Sequence, residues 1–91
     1  MITREEVLKE AIKIVSDDRN TIYGEPEDSF AQIAKLWAIY TRHHFEPHDV
    51  AVMLVLLKIA RIENNPCHKD NWIDIAGYAA CGASTLKTEG E

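Results

Sequence analysis

Apolar side chains recur at helical spacing in several segments of this chain. In the first segment Thr3 and Glu6 match a capping box, and apolar residues then repeat every three or four positions for about three turns. Further along, Pro26 is suited to the first turn of a new helix, which an apolar stripe then extends. The pattern therefore predicts helices over residues 4–16 and 26–42.

Two more helices are predicted in the second half of the chain. Pro47 can open a third helix, over residues 47–62, which ends near 64–66 because a residue before proline avoids the helical region. Asp70 is a natural N-cap for a fourth helix, which its apolar residues extend to about Ser84. The third helix is apolar nearly all round, so we expect it to be central, with the others wrapped around it.

These four segments predict an all-α fold. No segment alternates with a period of two, and neither Asn-Gly nor Asp-Gly marks a hairpin. We expect a four-helix antiparallel bundle, with a single helical domain over residues 1–86 and a polar C-terminal tail over 87–91. Because the third and fourth helices are apolar on most sides, we also expect self-association, as a dimer or a tetramer.

Charge and composition exclude several classes of partner. The net charge is −5 and no cluster of basic residues occurs, which argues against nucleic acid as a partner. The apolar run over 50–57 is far shorter than the ~20 residues that cross a bilayer, so no membrane is expected. The N-terminal residues do not form a signal peptide, and Cys67 and Cys81 lack a zinc spacing. We therefore expect a cytoplasmic protein with reduced thiols.

Four charged residues near the connection between the third and fourth helices are the main candidates for chemistry. Lys58 and Arg61 share one face of the third helix, and Asp70 and Asp74 share one face of the fourth. Two such carboxylates can hold Mg²⁺, and the two cations can bind phosphate oxygens beside it. The alternative is that Asp70 only caps its helix, while Asp74 neutralises a cation inside the bundle.

Side chains elsewhere could complete this site. Asp28, together with Glu25 and Glu27, could add a carboxylate from the second helix, although acids are also ordinary in a first turn. Tyr78 could stack on a base, as could Tyr23, and the alternative for both is a place in the core. Neither a nucleophile elbow nor a glycine-rich phosphate loop is present, so no catalytic residue is predicted.

Three strings of residues together resemble a known family. They are Tyr23-Gly24-Glu25-Pro26, Leu57-Lys58-Ile59-Ala60-Arg61 and Asp70-Asn71-Trp72-Ile73-Asp74-Ile75-Ala76-Gly77-Tyr78-Ala79. With the residues between them, they resemble a family of small phage and prophage proteins of uncharacterised function. The last string is also similar to nucleotide-modification-associated domains and, more distantly, to MazG-type nucleoside triphosphate pyrophosphohydrolases. A phage origin would place the protein in the cytoplasm of the host cell.

The MazG-type resemblance implies an oligomeric helical scaffold that binds Mg²⁺ through acids on two helices. Such proteins cleave a nucleotide between its α and β phosphates. The MazG-type pattern has Glu-x-x-Glu on one helix and Glu-x-x-Asp on the next, whereas this chain has Asn71-Trp72-Ile73-Asp74 in the second place. Fewer carboxylates predict weaker metal binding.

Two hypotheses follow from the sequence. In the first, the protein binds or hydrolyses a nucleoside triphosphate, with Mg²⁺ held by Asp70, Asp74 and Asp28. Lys58, Arg61 and Tyr78 then contact the substrate. In the second, the protein is a non-enzymatic interaction or structural module of phage origin, in which the same charges lock two helices together.

Overall fold

The computed structural model describes residues 1–16 and 25–87, and this part of the chain is all helical. It contains four helices and no strand. They are α1 (Arg4–Ser16), α2 (Pro26–Thr41), α3 (Pro47–Asn64) and α4 (Lys69–Ser84). The all-α prediction is confirmed, and each helix boundary lies within two residues of its predicted place.

Local signals explain where the helices begin and end. The Glu6 amide donates to Thr3 Oγ1 at 3.1 Å, as one half of a capping box requires. At the start of α3 the Glu46 amide donates to the carboxylate of Asp49 at 2.8 Å. Arg42 closes α2 with a left-handed φ of 63°, and its amide bonds back to the last turn.

The start of α4 differs from the prediction. The helix begins at Lys69, and His68 occupies the N-cap position without a side-chain cap bond. Asp70 therefore lies in the first turn and is not the N-cap. Its negative charge still lies at the positive end of the helix dipole, which explains why an acid is favoured there.

The main core lies between α2 and α3. Phe30 and Ala34 from α2 are buried against Val50 and Ala51 from α3. Six partly buried apolar residues pack around them, and they are Ile33, Trp37, Phe45, Leu54, Tyr78 and Cys81. The rings of Trp37 and Phe45 meet edge to face, with centroids 5.9 Å apart, and fix the turn between the two helices.

The central helix is α4, and the prediction that the third helix is central is wrong. α4 packs on α1, α2 and α3, and its most extensive contact is with α3. The outward side of α3 is instead exposed. Apolar residues occur on nearly all sides of α3, so the sequence pattern could not show which side would be buried.

The directions of the helices also depart from a simple antiparallel arrangement. α3 and α4 run antiparallel, since Ala51 lies against Gly82 while Lys58 meets Asp74. α1 and α4, however, run in the same direction, because Lys69 contacts Glu6 and Glu10 whereas Gly77 lies beside Val15. Here the predicted antiparallel arrangement does not hold.

The length of the segment between α1 and α2 gives the physical reason. Eight residues separate Ser16 from Glu25 in the sequence and can span up to about 26 Å, more than the roughly 20 Å length of a 13-residue helix. A connection of this length allows α2 to begin at either end of α1, so the sequence does not force a tight hairpin.

Candidate functional site

A buried ion pair joins α3 to α4 at the position where the sequence places its main candidate site. Lys58 Nζ lies 2.8 Å from Asp74 Oδ2, and the two side chains are only 11 % and 24 % exposed. A lysine of this burial is stable as a cation because a carboxylate faces it at hydrogen-bond distance. The predicted contact between the basic end of α3 and the acidic side of α4 is therefore present for this pair.

Two more polar side chains lie one helical turn from the ion pair, on the side of the α3–α4 connection. Arg61 is exposed and forms no ion pair within residues 1–16 and 25–87. Asn71 is buried, with 5 % of its surface exposed. We call Lys58, Arg61, Asn71 and Asp74 the polar seam.

The face of α4 that carries Asn71 points toward α3. Asn71, Asp74, Tyr78 and Gly82 follow one another at three- or four-residue intervals, so they lie on one side of the helix. Asp74 and Gly82 contact α3 directly, and Tyr78 packs against the main core. Asn71 is therefore directed toward the same helix interface, a position that sequence analysis did not single out.

The other predicted metal ligands do not join the ion pair. Asp70 is exposed, and the atom nearest to its carboxylate in an ion pair is His68 Nε2, 3.9 Å away. Asp28 is exposed in the first turn of α2. In the two described ranges, no three residues of the kinds His, Cys, Asp and Glu come close enough to hold a metal ion. The Mg²⁺ site stays a prediction.

Tyr78 lies at the edge of an apolar groove between α3 and α4. The groove has a volume of about 330 Å³. Its lining includes Val52 and Val55 from α3, with Ala79 and Leu86 from the other side. Tyr78 is partly buried, as the core alternative predicts, but it also borders a space that an apolar group can enter. Tyr23 lies outside the described residues.

A second charged cluster, which sequence analysis missed, links α1 to α4. Lys69 Nζ lies 2.8 Å from Glu6 and 3.1 Å from Glu10. These bonds raise the pKa of Lys69, and the hydrogen bond and charge of Lys69 lower the pKa of Glu6. The i, i+4 spacing of Glu6 and Glu10 is visible in the sequence. Their partner Lys69 is at least 59 positions away along the chain, so no local pattern connects it to them.

The two cysteines are free thiols in different surroundings. Cys67 is exposed in the α3–α4 connection, and Cys81 is partly buried against the main core. Burial and the nearby charge of Glu27 raise the pKa of Cys81. A smaller fraction of this side chain is therefore the reactive thiolate at neutral pH. Neither cysteine forms a disulfide among the described residues.

The described part of the chain thus defines a small all-helical protein with a polar seam between its last two helices. It belongs to the family "Domain of unknown function (DUF6378)", whose model matches residues 6–86. No helix in the described ranges is long and apolar enough to cross a membrane. The family membership confirms the predicted resemblance to proteins of uncharacterised function.

Two curated relatives come from mycobacteriophages. The chain is 46 % identical to the Gene 55 protein of Mycobacterium phage L5 over 74 residues, covering 80 % of this chain and 47 % of that protein. It is 39 % identical to the Gene 55 protein of Mycobacterium phage D29 over 77 residues, covering 85 % of this chain and 51 % of that protein. The chain therefore spans about half the length of these relatives. No solved structure matches it.

Proposed function

We propose that the polar seam binds the phosphate groups of a nucleotide together with Mg²⁺. The observation that supports this proposal best is the grouping of two cations, a carboxylate and an amide at one end of the α3–α4 interface. Asn71 contributes the amide, which can both donate to and accept from a ligand.

The cations of the seam fit phosphate oxygens. Arg61 is exposed and unpaired among the described residues, so its guanidinium is available for bidentate bonds to a phosphate. Lys58 adds a second positive charge one turn away, although Asp74 offsets part of it. Tyr78 and the adjoining groove offer apolar surface for a base.

For the metal, this proposal needs only two carboxylates from the chain. Mg²⁺ usually keeps several waters and binds through one or two carboxylates plus the phosphates of its substrate. Asp70 and Asp74 are four residues apart on α4, and only Oδ2 of Asp74 is bonded to Lys58. The reaction implied by the MazG-type resemblance, hydrolysis between the α and β phosphates, is the activity to assay, in a protein of the host cytoplasm.

A thermal melt of the full chain tests nucleotide binding. A panel of ribo- and deoxynucleoside triphosphates with Mg²⁺ should contain at least one that raises the melting midpoint by about 4 °C or more at saturating concentration. Mg²⁺ without nucleotide is the reference. Arg61→Ala should lose the shift without losing stability, and Arg4→Ala, an exposed cation on α1, should keep it.

Asn71→Leu tests the observation that supports the proposal. The free protein should stay folded, because leucine has a similar shape, and the shift by nucleotide should be abolished, because leucine cannot bond to the ligand. A panel in which no nucleotide moves the midpoint of the natural chain, or a shift that survives both Arg61→Ala and Asn71→Leu, would contradict the proposal.

The second candidate is a non-enzymatic interaction module of phage origin. The burial of the ion pair favours it, because Lys58 and Asp74 are mostly buried and already neutralise each other. In that case their role is to hold α3 against α4. Nucleotide and Mg²⁺ should then leave both the melting midpoint and the pyrophosphate level unchanged.

A further inference from the structure

The outward side of α3 is apolar and uncovered. Five of its large side chains are each between 42 % and 56 % exposed. They are Val52, Met53, Leu56, Leu57 and Ile59. Four of them, Val52, Met53, Leu56 and Ile59, lie on the side of α3 opposite the buried Val50, Ala51 and Lys58, and we call this side the outer face of α3. Leu57, two turns after Val50, lies at the edge of this face.

The outer face of α3 contains no charge over three helical turns. From residue 50 to 60 the only charged residue is Lys58, and it turns inward to Asp74. The apolar surface also continues sideways, because Val52 belongs both to the outer face and to the lining of the groove between α3 and α4. A soluble monomer rarely exposes an apolar surface of this extent.

The size of the molecule gives independent support. The chain exposes 7000 Å², whereas a compact monomer of 10.3 kDa exposes about 5,400 Å². Its radius of gyration is 14.2 Å, against about 12 Å for a compact chain of this length. The excess surface exceeds the roughly 800 Å² that each partner buries in a standard interface.

We propose that the outer face of α3 binds the same face of a second copy of this chain. A twofold pair places each apolar side chain in the interface twice, so a face without charge is complementary to itself. A partner with a charged surface would leave its charges unpaired against this face. The outer face shares Val52 with the groove, but the proposal does not rest on nucleotide binding, since Lys58 and Arg61 of the polar seam lie on other sides of α3.

Sedimentation of the full chain and of two matched variants tests the proposal. The natural chain should sediment at about twice its mass of 10.3 kDa at micromolar concentration. Leu56→Glu should weaken the dimer by about 100-fold or more and give a monomer at the same concentration. Leu8→Glu is the control, because Leu8 on α1 is 58 % exposed and Leu56 is 56 % exposed; it should remain a dimer.

A second measurement needs no variant and covers the case in which Leu56→Glu fails to fold alone. The melting midpoint of the natural chain should rise with protein concentration, since association stabilises the folded form by mass action. A monomer mass for the natural chain, a dimer that persists in Leu56→Glu, or a midpoint independent of concentration would each overturn the proposal. None of these outcomes depends on nucleotide binding.

Discussion

A close contact between α3 and α4 depends on a single glycine. A Cβ atom built on Gly82 would lie 2.6 Å from the Cβ of Ala51, far closer than two carbon atoms can approach. The missing side chain lets the backbones of α3 and α4 approach each other there. Gly77, on the same helix, differs, because a Cβ on it would meet Val15 Cγ1 at an ordinary 3.5 Å.

This difference predicts opposite effects for the same chemical change. Gly82→Ala should lower the free energy of unfolding by about 1–3 kcal/mol, because α3 must shift away from α4. Gly77→Ala should raise it by up to about 1 kcal/mol, because alanine restricts the unfolded chain and favours the helix. Urea unfolding of both variants is the measurement. Equal effects of the two substitutions would show that the close approach at Gly82 does not determine stability.

At the scale of the helices, α4 holds the molecule together through a packing contact and through ion pairs with two other helices. It packs closely on α3 at Gly82, binds Lys58 of α3 through Asp74, and binds α1 through Lys69. Trp72 also donates from its indole nitrogen to the Pro66 carbonyl at 2.9 Å, which fixes the connection that precedes the helix. A small core is thus supplemented by polar links between helices.

The ion pair between α3 and α4 should show strong coupling in a double-mutant cycle. Lys58→Met and Asp74→Asn should each lower the free energy of unfolding by about 1–3 kcal/mol, because each leaves a mostly buried charge unpaired. The double variant should cost less than the two single changes combined, by about 1 kcal/mol or more. Asp74→Asn is therefore expected to change stability as well as any activity, which makes Arg61 the cleaner probe of function.

The exposed pair of His44 and Glu46 is the matched control for this cycle. Its side chains are 78 % and 57 % exposed although their atoms are 2.7 Å apart. Water and salt weaken such pairs, so the coupling there should be at most a few tenths of a kcal/mol. Equal coupling in both cycles would mean that burial does not strengthen the bond between Lys58 and Asp74.

At the scale of the whole molecule, α1 is attached to the rest largely through one side, along α4. The described contacts of α1 that involve charge are those of Lys69 with Glu6 and Glu10. Beside them Ala11 of α1 and Ile73 of α4 are buried. The attachment of the N-terminal helix should therefore respond to pH.

The direction of the pH effect follows from the pKa shifts. The pKa of Glu6 is lowered from 4.5, so its contribution to stability is present above pH 4.5 and is lost as the pH falls through the folded pKa. The pKa of Lys69 is raised from 10.5, so its contribution is present below pH 10.5 and is lost as the pH rises through the folded pKa. Both contributions are present at neutral pH.

Glu6→Gln should reduce the loss of stability that the protein shows at acid pH. Urea unfolding of the natural chain should show a decrease in stability below pH 4.5, and the variant should lose less over the same range because the group that titrates is absent. Glu5→Gln, which changes an exposed neighbour without an ion pair in the described residues, should leave the profile unchanged. Parallel profiles for the natural chain and Glu6→Gln would contradict the assigned role of Glu6.

Sequence patterns sufficed for features that depend on neighbours along the chain. Thr3, Pro26 and Pro47 mark the starts of three helices because capping and the fixed φ of proline act within one turn. The N-cap of α4 was misassigned by two residues, to Asp70 and not His68, because an acid is favoured both at the N-cap and in the first turn of a helix. For the candidate site, the patterns identified Lys58 and Asp74 but not Asn71, whose burial is visible only in three dimensions.

The sequence by itself determined that this chain forms helices, where each one lies, and that opposite charges stand on the last two. Only the tertiary structure decided that α4 is central, that α1 runs in the same direction as α4, and that Lys58 pairs with Asp74 while Asp70 remains exposed. The physical reason is the range of the interactions. Hydrogen bonds and dihedral preferences act within a turn, whereas the choice of buried face and of charge partner depends on how whole helices pack.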